Sequence, residues 1–180
     1  MLNLMLLRHA KSSLADTGQA DLDRPLNERG KRAATAVGRY MASHSLVPQL
    51  VLCSPARRAR DTWTLAAGEL KASPEVLVAA EIYNFGDGNA LMECLRHKAG
   101  AAQSVLLVGH NPSIAGLAQT LIGTGSGKLR ERQEEKYPTA ALALISFDLA
   151  TWGSLTTGSG KLLRFVRPRD IIDDNDDNDD

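Results

Sequence analysis

Two stretches of this chain end in the same way. Met1–Leu7 is apolar and is cut off by Arg8-His9-Ala10, and Ser104-Val105-Leu106-Leu107-Val108 is apolar and is cut off by Gly109-His110-Asn111-Pro112. Short continuous apolar runs bounded by polar or turn residues read as strands buried on both faces. A chain with such strands must cover a sheet on both sides. Each run also delivers a histidine just past its end. Open α/β sheets bind their ligands outside the carboxyl ends of the strands, so the pattern predicts that His9 and His110 meet at that edge.

The sequence between and beyond these runs supplies the covering layers. Leu50–Cys53 and Val76–Ala79 read as a second and a third strand, ahead of the fourth at Ser104–Val108. Pro25-Leu26-Asn27 opens a helix from Glu28 to about Ser43, with Asn27 as N-cap and Ala33, Ala36, Val37, Tyr40 and Met41 at helical spacing. Ser54-Pro55 reads as N-cap and first position of a helix reaching about Leu70. Two more helices are expected, over Ala90–Lys98 and over Ser113–Ile122, the latter with Pro112 near its first turn. Lys11–Arg24 and Asn84–Asn89 read as loops, and the glycine-rich, then charged, Gly123–Lys136 as a mobile surface loop. Ala140–Asp148 and Lys161–Arg167 follow as strands. Alternation of strand and helix predicts a parallel sheet, and the consecutive late strands predict an antiparallel edge. The expected fold class is α/β: a three-layer α/β/α sandwich around a mostly parallel central sheet with an antiparallel edge strand.

The formal charge of zero hides an asymmetry. Asp173 to Asp180 holds six Asp and two Asn; without those six, 21 positive charges face 15 negative ones, an excess of six. A basic body suits an anionic ligand, and the tail is predicted to be solvated and disordered. A single domain is expected over residues 1–172, with residues 173–180 as the acidic tail. Cys53 and Cys94 follow no metal or disulfide spacing and suit a reducing compartment. The apolar N-terminus lacks a basic leader and is too short to span a membrane. We therefore expect a cytoplasmic protein without membrane or nucleic-acid partners.

Two histidines and nearby arginines point to phosphoryl transfer through a histidine. The imidazole must be neutral and aimed, and fixed positive charge must meet the phosphoryl oxygens. Arg8 and His9 are adjacent, so within a strand they would point to opposite faces. Both reach one phosphate only if the strand ends near Leu7 and the chain turns there. In Ser54-Pro55-Ala56-Arg57-Arg58-Ala59-Arg60-Asp61-Thr62, Arg58 flanks the apolar stripe and can lean over the sheet edge, whereas Arg57 can pair with Asp61 one turn on. His44 and His97 read as surface residues, and the four histidines have no metal spacing. Gly123–Leu129 and Gly158–Leu162 fail as phosphate loops, because the first glycine and the Ser or Thr after the lysine are both missing.

Arg8-His9-Ala10, Ser54 through Thr62, and Gly109-His110-Asn111-Pro112 resemble the three signatures of the histidine phosphatase superfamily. Asp23-Arg24-Pro25-Leu26-Asn27-Glu28-Arg29-Gly30 resembles its short SixA-like phosphohistidine phosphatase branch, and the likeness covers Met1 to about Trp152. It implies a phosphoglycerate mutase-like fold and a hydrolase that works through a phosphohistidine intermediate on His9. It implies that Arg8, Arg58 and His110 bind the phosphate and its transition state, with Arg24 as a further anion contact, and that no cofactor or metal is needed. The chain departs from the superfamily's commoner pattern at Ala10, where Gly is usual, and at Asp61, where Gln is usual before Thr62. Glu81 stands where many members keep a carboxylic acid for the leaving group.

Larger relatives insert helical segments that enclose small substrates. Here about fifty residues separate His9 from Arg58 and about fifty more separate Arg58 from His110, and the predicted elements nearly fill both intervals. An open pocket suits phosphohistidine carried on a signalling or phosphotransfer protein. Small phosphate esters, including phosphosugars, are the alternative substrates, and a non-catalytic phosphate-binding module is the alternative class.

Overall fold

The computed structural model describes residues 1–14 and 18–172; the acidic tail expected at 173–180 lies outside the described residues. In chain order the elements are β1 (Leu2–Arg8), α1 (Glu28–Ser43), β2 (Leu50–Cys53), α2 (Arg57–Gly68), β3 (Glu75–Val78), α3 (Asn89–Lys98), β4 (Ser104–Gly109), α4 (Ser113–Leu121), β5 (Ile122–Gly125), α5 (Gly127–Glu135), β6 (Leu142–Phe147) and β7 (Gly160–Val166). Short 3₁₀ turns stand at Asp21–Asp23, Ala80–Ile82, Trp152–Ser154 and Pro168–Asp170.

The strands form one mixed sheet in the order β3-β2-β4-β1-β6-β7-β5. β1 to β4 run parallel, β6 pairs antiparallel with both β1 and β7, and β5 pairs parallel with β7. The antiparallel strand expected at an edge therefore lies inside the sheet. Its residues explain the placement: Leu142, Ala143, Leu144, Ile145 and Phe147 are all buried, and an edge strand would leave part of that surface wet.

Side chains alternate across the strands and sort into two cores. Leu4, Leu6, Leu52, Val105 and Leu107 face one layer, which holds Leu91 and Leu95 of α3 and Ile114 and Leu117 of α4. Met5, Leu7, Val51, Leu106 and Val108 face the other, which holds Ala33, Val37 and Met41 of α1 and Ala59, Trp63 and Ala66 of α2. Burial on both sides is why these strands read as continuous apolar runs. Each leucine so buried contributes on the order of 2 kcal/mol before entropy is charged against it. Asn27 caps α1 as expected, its Oδ1 accepting from the Gly30 amide at 2.8 Å.

Three local expectations are corrected. β1 continues through Arg8 instead of ending at Leu7. α2 begins at Arg57 with Ala56 at its N-cap and no side-chain cap, because the Ser54 hydroxyl is engaged elsewhere. The stretch read as a mobile loop, Gly123–Lys136, forms most of β5 and all of α5.

Candidate active site

Register assembles the site. Val108 of β4 is level with Leu7 of β1 and with Cys53 of β2. The backbone continues the alignment one step further: the His9 amide donates to the Gly109 carbonyl at 3.0 Å and the Ser54 amide to the Val108 carbonyl at 3.0 Å. His9, Ser54 and His110 thus leave the sheet together at its carboxyl edge. The imidazole centroids of His9 and His110 lie 5.1 Å apart.

Each imidazole is held in one tautomer. His9 Nδ1–H donates to the Ala10 carbonyl at 2.8 Å, which leaves the lone pair on Nε2. Burial, with the charges of Arg58, Arg8 and Arg24, pushes its pKa down to about 4. Arg58 Nη2 donates to His110 Nδ1 at 3.3 Å, so His110 carries its proton on Nε2 and donates it to the Ser54 hydroxyl at 2.7 Å. Ser54 Oγ also accepts from the Ala56 amide, and this double use takes it away from helix capping. Burial, then the proximity of His9 and Arg58, pushes His110 down to about 3. Both rings are neutral at pH 7.

Arg58 is almost fully buried, with 3% of its side chain exposed. Nη1 donates to the Asp21 carbonyl at 2.7 Å and Nη2 to Asp21 Oδ2 at 3.0 Å. The Tyr83 hydroxyl donates to the same Oδ2. That hydrogen bond, with the Arg58 charge, holds the Asp21 carboxyl below the usual carboxylate range. Arg24 Nε stands 3.5 Å from Asp21 Oδ1, and its Nη2 donates to Ser12 Oγ at 2.8 Å. Arg8 Nη1 donates to the Tyr137 carbonyl at 2.9 Å, which also accepts from Asn111 Nδ2. The Nε atoms of Arg8 and Arg58 are buried and make no hydrogen bond among the described residues. Tyr83 and Phe85 form an aromatic wall against His110, with ring centroids 5.4 Å and 5.1 Å from it.

The turn after His9 is pinned from two sides. The Ala10 amide donates to Thr62 Oγ1 of α2 at 2.9 Å. α1 packs on the next residue at Gly30, where a Cβ would fall 1.9 Å from the Lys11 carbonyl oxygen, so only glycine fits. Ala10 itself is fully buried and takes no positive φ, so replacing the family's usual glycine costs no backbone strain.

The structure thus brings His9, Arg8, Arg58, His110 and Arg24 together and sets Glu81 apart from them. Glu81 Oε1 pairs with Lys98 Nζ at 3.2 Å, half-exposed, and its carboxyl is held low first by its own backbone amide and then by Lys98. A general acid near neutral pH needs the opposite shift. Arg57 pairs with Asp61 at 3.4 Å, as its spacing predicts. His44 is exposed and stacks on Tyr40, and His97 is exposed beside Glu93. Among the described residues no cluster of three His, Cys, Asp or Glu side chains is placed to hold a metal ion, and no helix is long and apolar enough to cross a membrane.

The histidine phosphatase superfamily (branch 1) matches residues 4–87. An uncharacterized protein of Mycobacterium tuberculosis is 34% identical over 165 residues, covering 91% of this chain and 100% of the relative. The chain belongs to the histidine phosphatase superfamily. A crystal structure assigned as the phosphohistidine phosphatase SixA of Agrobacterium tumefaciens superposes with a TM-score of 0.77 at 29% identity, covering 93% of this chain and 98% of that one. The protein histidine phosphatase SixA complexed with tungstate shares the fold, with a TM-score of 0.76 at 22% identity over 95% and 100% of the two chains. The mixed-sheet α/β fold is phosphoglycerate mutase-like, and the chain is a hydrolase of the phosphatase type.

Within this superfamily site, sequence reasoning missed Asp21, Ser54, Thr62, Tyr83 and Tyr137. Ser54 was within reach of the rule that found both histidines, since it too follows a buried strand directly. Asp21 carries no comparable signal: it lies in a polar stretch and meets Arg58 only through tertiary packing.

Proposed function

We propose that this phosphatase removes the phosphoryl group from phosphohistidine on a signalling or phosphotransfer protein, through a phosphohistidine intermediate on His9. One observation carries the reading. A neutral imidazole, His9, with its proton fixed on Nδ1 and its lone pair on Nε2, stands 5.1 Å from His110 in a buried pocket of arginines.

His9 Nε2 attacks phosphorus, a P–N bond to His9 forms, and the P–N bond to the substrate breaks. Arg8 and Arg58, whose Nε–H groups have no acceptor among the described residues, bind the phosphoryl oxygens, His110 joins them by turning its Nε2–H from Ser54 to the phosphate, and Arg24 adds charge from beside Asp21. A water then attacks the phosphorus of phospho-His9, releasing inorganic phosphate and restoring the neutral ring. A substrate histidine protonated on its free ring nitrogen departs as neutral imidazole and needs no added proton. Glu81 therefore has no part in the reaction. The 29% identity to a chain assigned as the phosphohistidine phosphatase SixA supports a protein-borne substrate.

The test compares a phosphohistidine-bearing protein with an aryl phosphate, using the parent and His9→Ala. The parent is expected to trap an acid-labile phosphoryl group on His9, and His9→Ala to lose turnover of both substrates by a factor on the order of 10³ or more. Equal rates in parent and variant would remove the mechanism. Faster turnover of small esters, still dependent on His9, would move the substrate to phosphorylated metabolites.

A further inference from the structure

A groove of 670 Å³ opens beside the site. Arg8 is one of its lining residues; it directly precedes His9 in the chain and its charge acts on that ring, so the groove adjoins the site. Its walls carry Lys11 from the turn after β1, Arg29 and Arg32 from the start of α1, Lys136 after α5, and Arg169 of the last 3₁₀ turn. Lys11, Arg29, Lys136 and Arg169 are exposed and form no ion pair among the described residues. Among the described residues Glu135 is the one acid on the lining; Asp170, which pairs with Arg167, is not part of it. Such a concentration of one sign in a concave wall focuses the field instead of cancelling it.

The reaction at His9 explains none of this charge beyond Arg8. A small inorganic anion would fill only a fraction of the volume, and the cations sit on four separate chain segments instead of converging on one point. Among the described residues no aromatic side chain lines the groove, so nucleic-acid bases would find no stacking platform on them. Ala33, Pro138, Pro168 and Ile172 give it an apolar floor that suits a polypeptide backbone.

We infer that this groove docks an acidic polypeptide segment of the phosphorylated protein, an inference that rests on the reading of a protein-borne substrate. Docking holds the segment beside Arg8 while its phosphohistidine reaches His9. It makes recognition salt-dependent and separates it from the chemistry.

The test uses the full chain and a fluorescent peptide of alternating Asp and Gly, with an Asn-Gly twin as control. A second full-length protein, with the six Asp of residues 173–180 changed to Asn, removes the chain's own polyanion as a competitor. The acidic peptide is expected to bind both proteins and the twin neither, with binding fading between about 50 and 300 mM salt. Arg29→Glu/Lys136→Glu/Arg169→Glu is expected to weaken binding roughly tenfold or more, with turnover of an aryl phosphate unchanged. The milder Arg29→Gln/Lys136→Gln/Arg169→Gln is expected to do the same in smaller measure. Equal binding of the two peptides, or unaltered binding in both triple variants, overturns the inference. So does a preference for tripolyphosphate or single-stranded DNA over the peptide. Peptide binding is read without turnover, so its failure with His9-dependent hydrolysis intact refutes the docking alone. Loss of the hydrolysis with binding intact refutes the reaction.

Discussion

Thr62→Val tests how the nucleophile is held. Thr62 is fully buried, and its Oγ1 accepts from the Ala10 amide at 2.9 Å while donating to the Arg58 carbonyl at 2.6 Å. Valine keeps the shape and removes the hydroxyl. The Arg58 carbonyl loses little, because the helix already supplies it with the Thr62 amide. The Ala10 amide is left without a partner in a dry place, since Ala10 is fully buried too. An orphaned buried donor costs about 1–3 kcal/mol, so about 2 kcal/mol is expected. For a domain of this size each kcal/mol moves Tm by about 2–4 °C, which places the variant roughly 4–8 °C below the parent by calorimetry. The consequence for catalysis follows from sequence adjacency. Ala10 is also the residue whose carbonyl fixes the His9 tautomer. Loosening it lets Nδ1 lose its acceptor, so kcat is expected to fall several-fold with KM little changed. Thr62→Ser restores the hydroxyl and is expected to recover kcat while still losing part of the stability through its missing methyl. A Thr62→Val protein that melts within a degree of the parent and turns over normally would refute the reasoning.

Three further outcomes are expected. Glu81→Gln leaves turnover of phosphohistidine and of aryl phosphate within about twofold of the parent, since Lys98 and solvent already hold the carboxylate ionised; a large loss on the ester alone would return Glu81 to the role of general acid. Asp21→Asn removes an anion that shares the Arg58 guanidinium, so inhibition by inorganic phosphate is expected to tighten roughly threefold; weaker inhibition would refute the idea that Asp21 competes for that arginine. His9 and His110 fold as neutral rings, with pKa values of about 4 and about 3 against 6.5. Below 6.5 the unfolded chain takes up protons that the folded one refuses, so their contribution is complete above pH 6.5 and is lost as pH falls toward 4. The loss reaches about 1.4 kcal/mol per pH unit for each ring. Urea unfolding of His110→Gln across pH 4–7 should therefore give a shallower acid slope than the parent; an identical slope would argue against a desolvated neutral His110.

What was legible in the sequence was whatever local periodicity or strand ends encode. Buried strands announce themselves by unbroken apolar runs, and the residues just after them share an edge because parallel strands keep register. That is how His9 and His110 could be paired across the whole chain. The Gly123–Glu135 region shows the limit. β5 is Ile122-Gly123-Thr124-Gly125, half glycine, and its pairing with β7 is irregular. The glycines that make it look like a loop are required by the packing: a Cβ on Gly123 would fall 2.0 Å from the Gly158 carbonyl oxygen, and Gly125 holds a φ of 144°. α5 then buries only Gln133, so it has no apolar stripe to betray it. Ser54-Pro55 misled for a different reason. Serine before proline is a sound capping signal, but the hydroxyl is claimed by His110, a partner that only the sheet brings near.

The division of charge in the site follows from one difference between side chains. Burial strips water from His9, His110 and Arg58 at this edge. An imidazole answers by giving up its proton, because its pKa lies close enough to neutrality for desolvation to decide the matter. A guanidinium cannot, so it stays cationic and must be satisfied by acceptors. Arg58 finds them in Asp21 and in His110 Nδ1, and Arg8 finds one in the Tyr137 carbonyl. The same burial thus makes His9 a free nucleophile and keeps the surrounding charge positive. Two residue types in one environment are driven to opposite protonation states, and a phosphoryl acceptor needs that combination. An Arg58→His substitution would put a third neutral ring where a cation is required; it should bind phosphate far more weakly than an Arg58→Lys protein, even though lysine lacks the forked donors. If the histidine variant bound as well as the lysine one, fixed charge would not be what the pocket supplies.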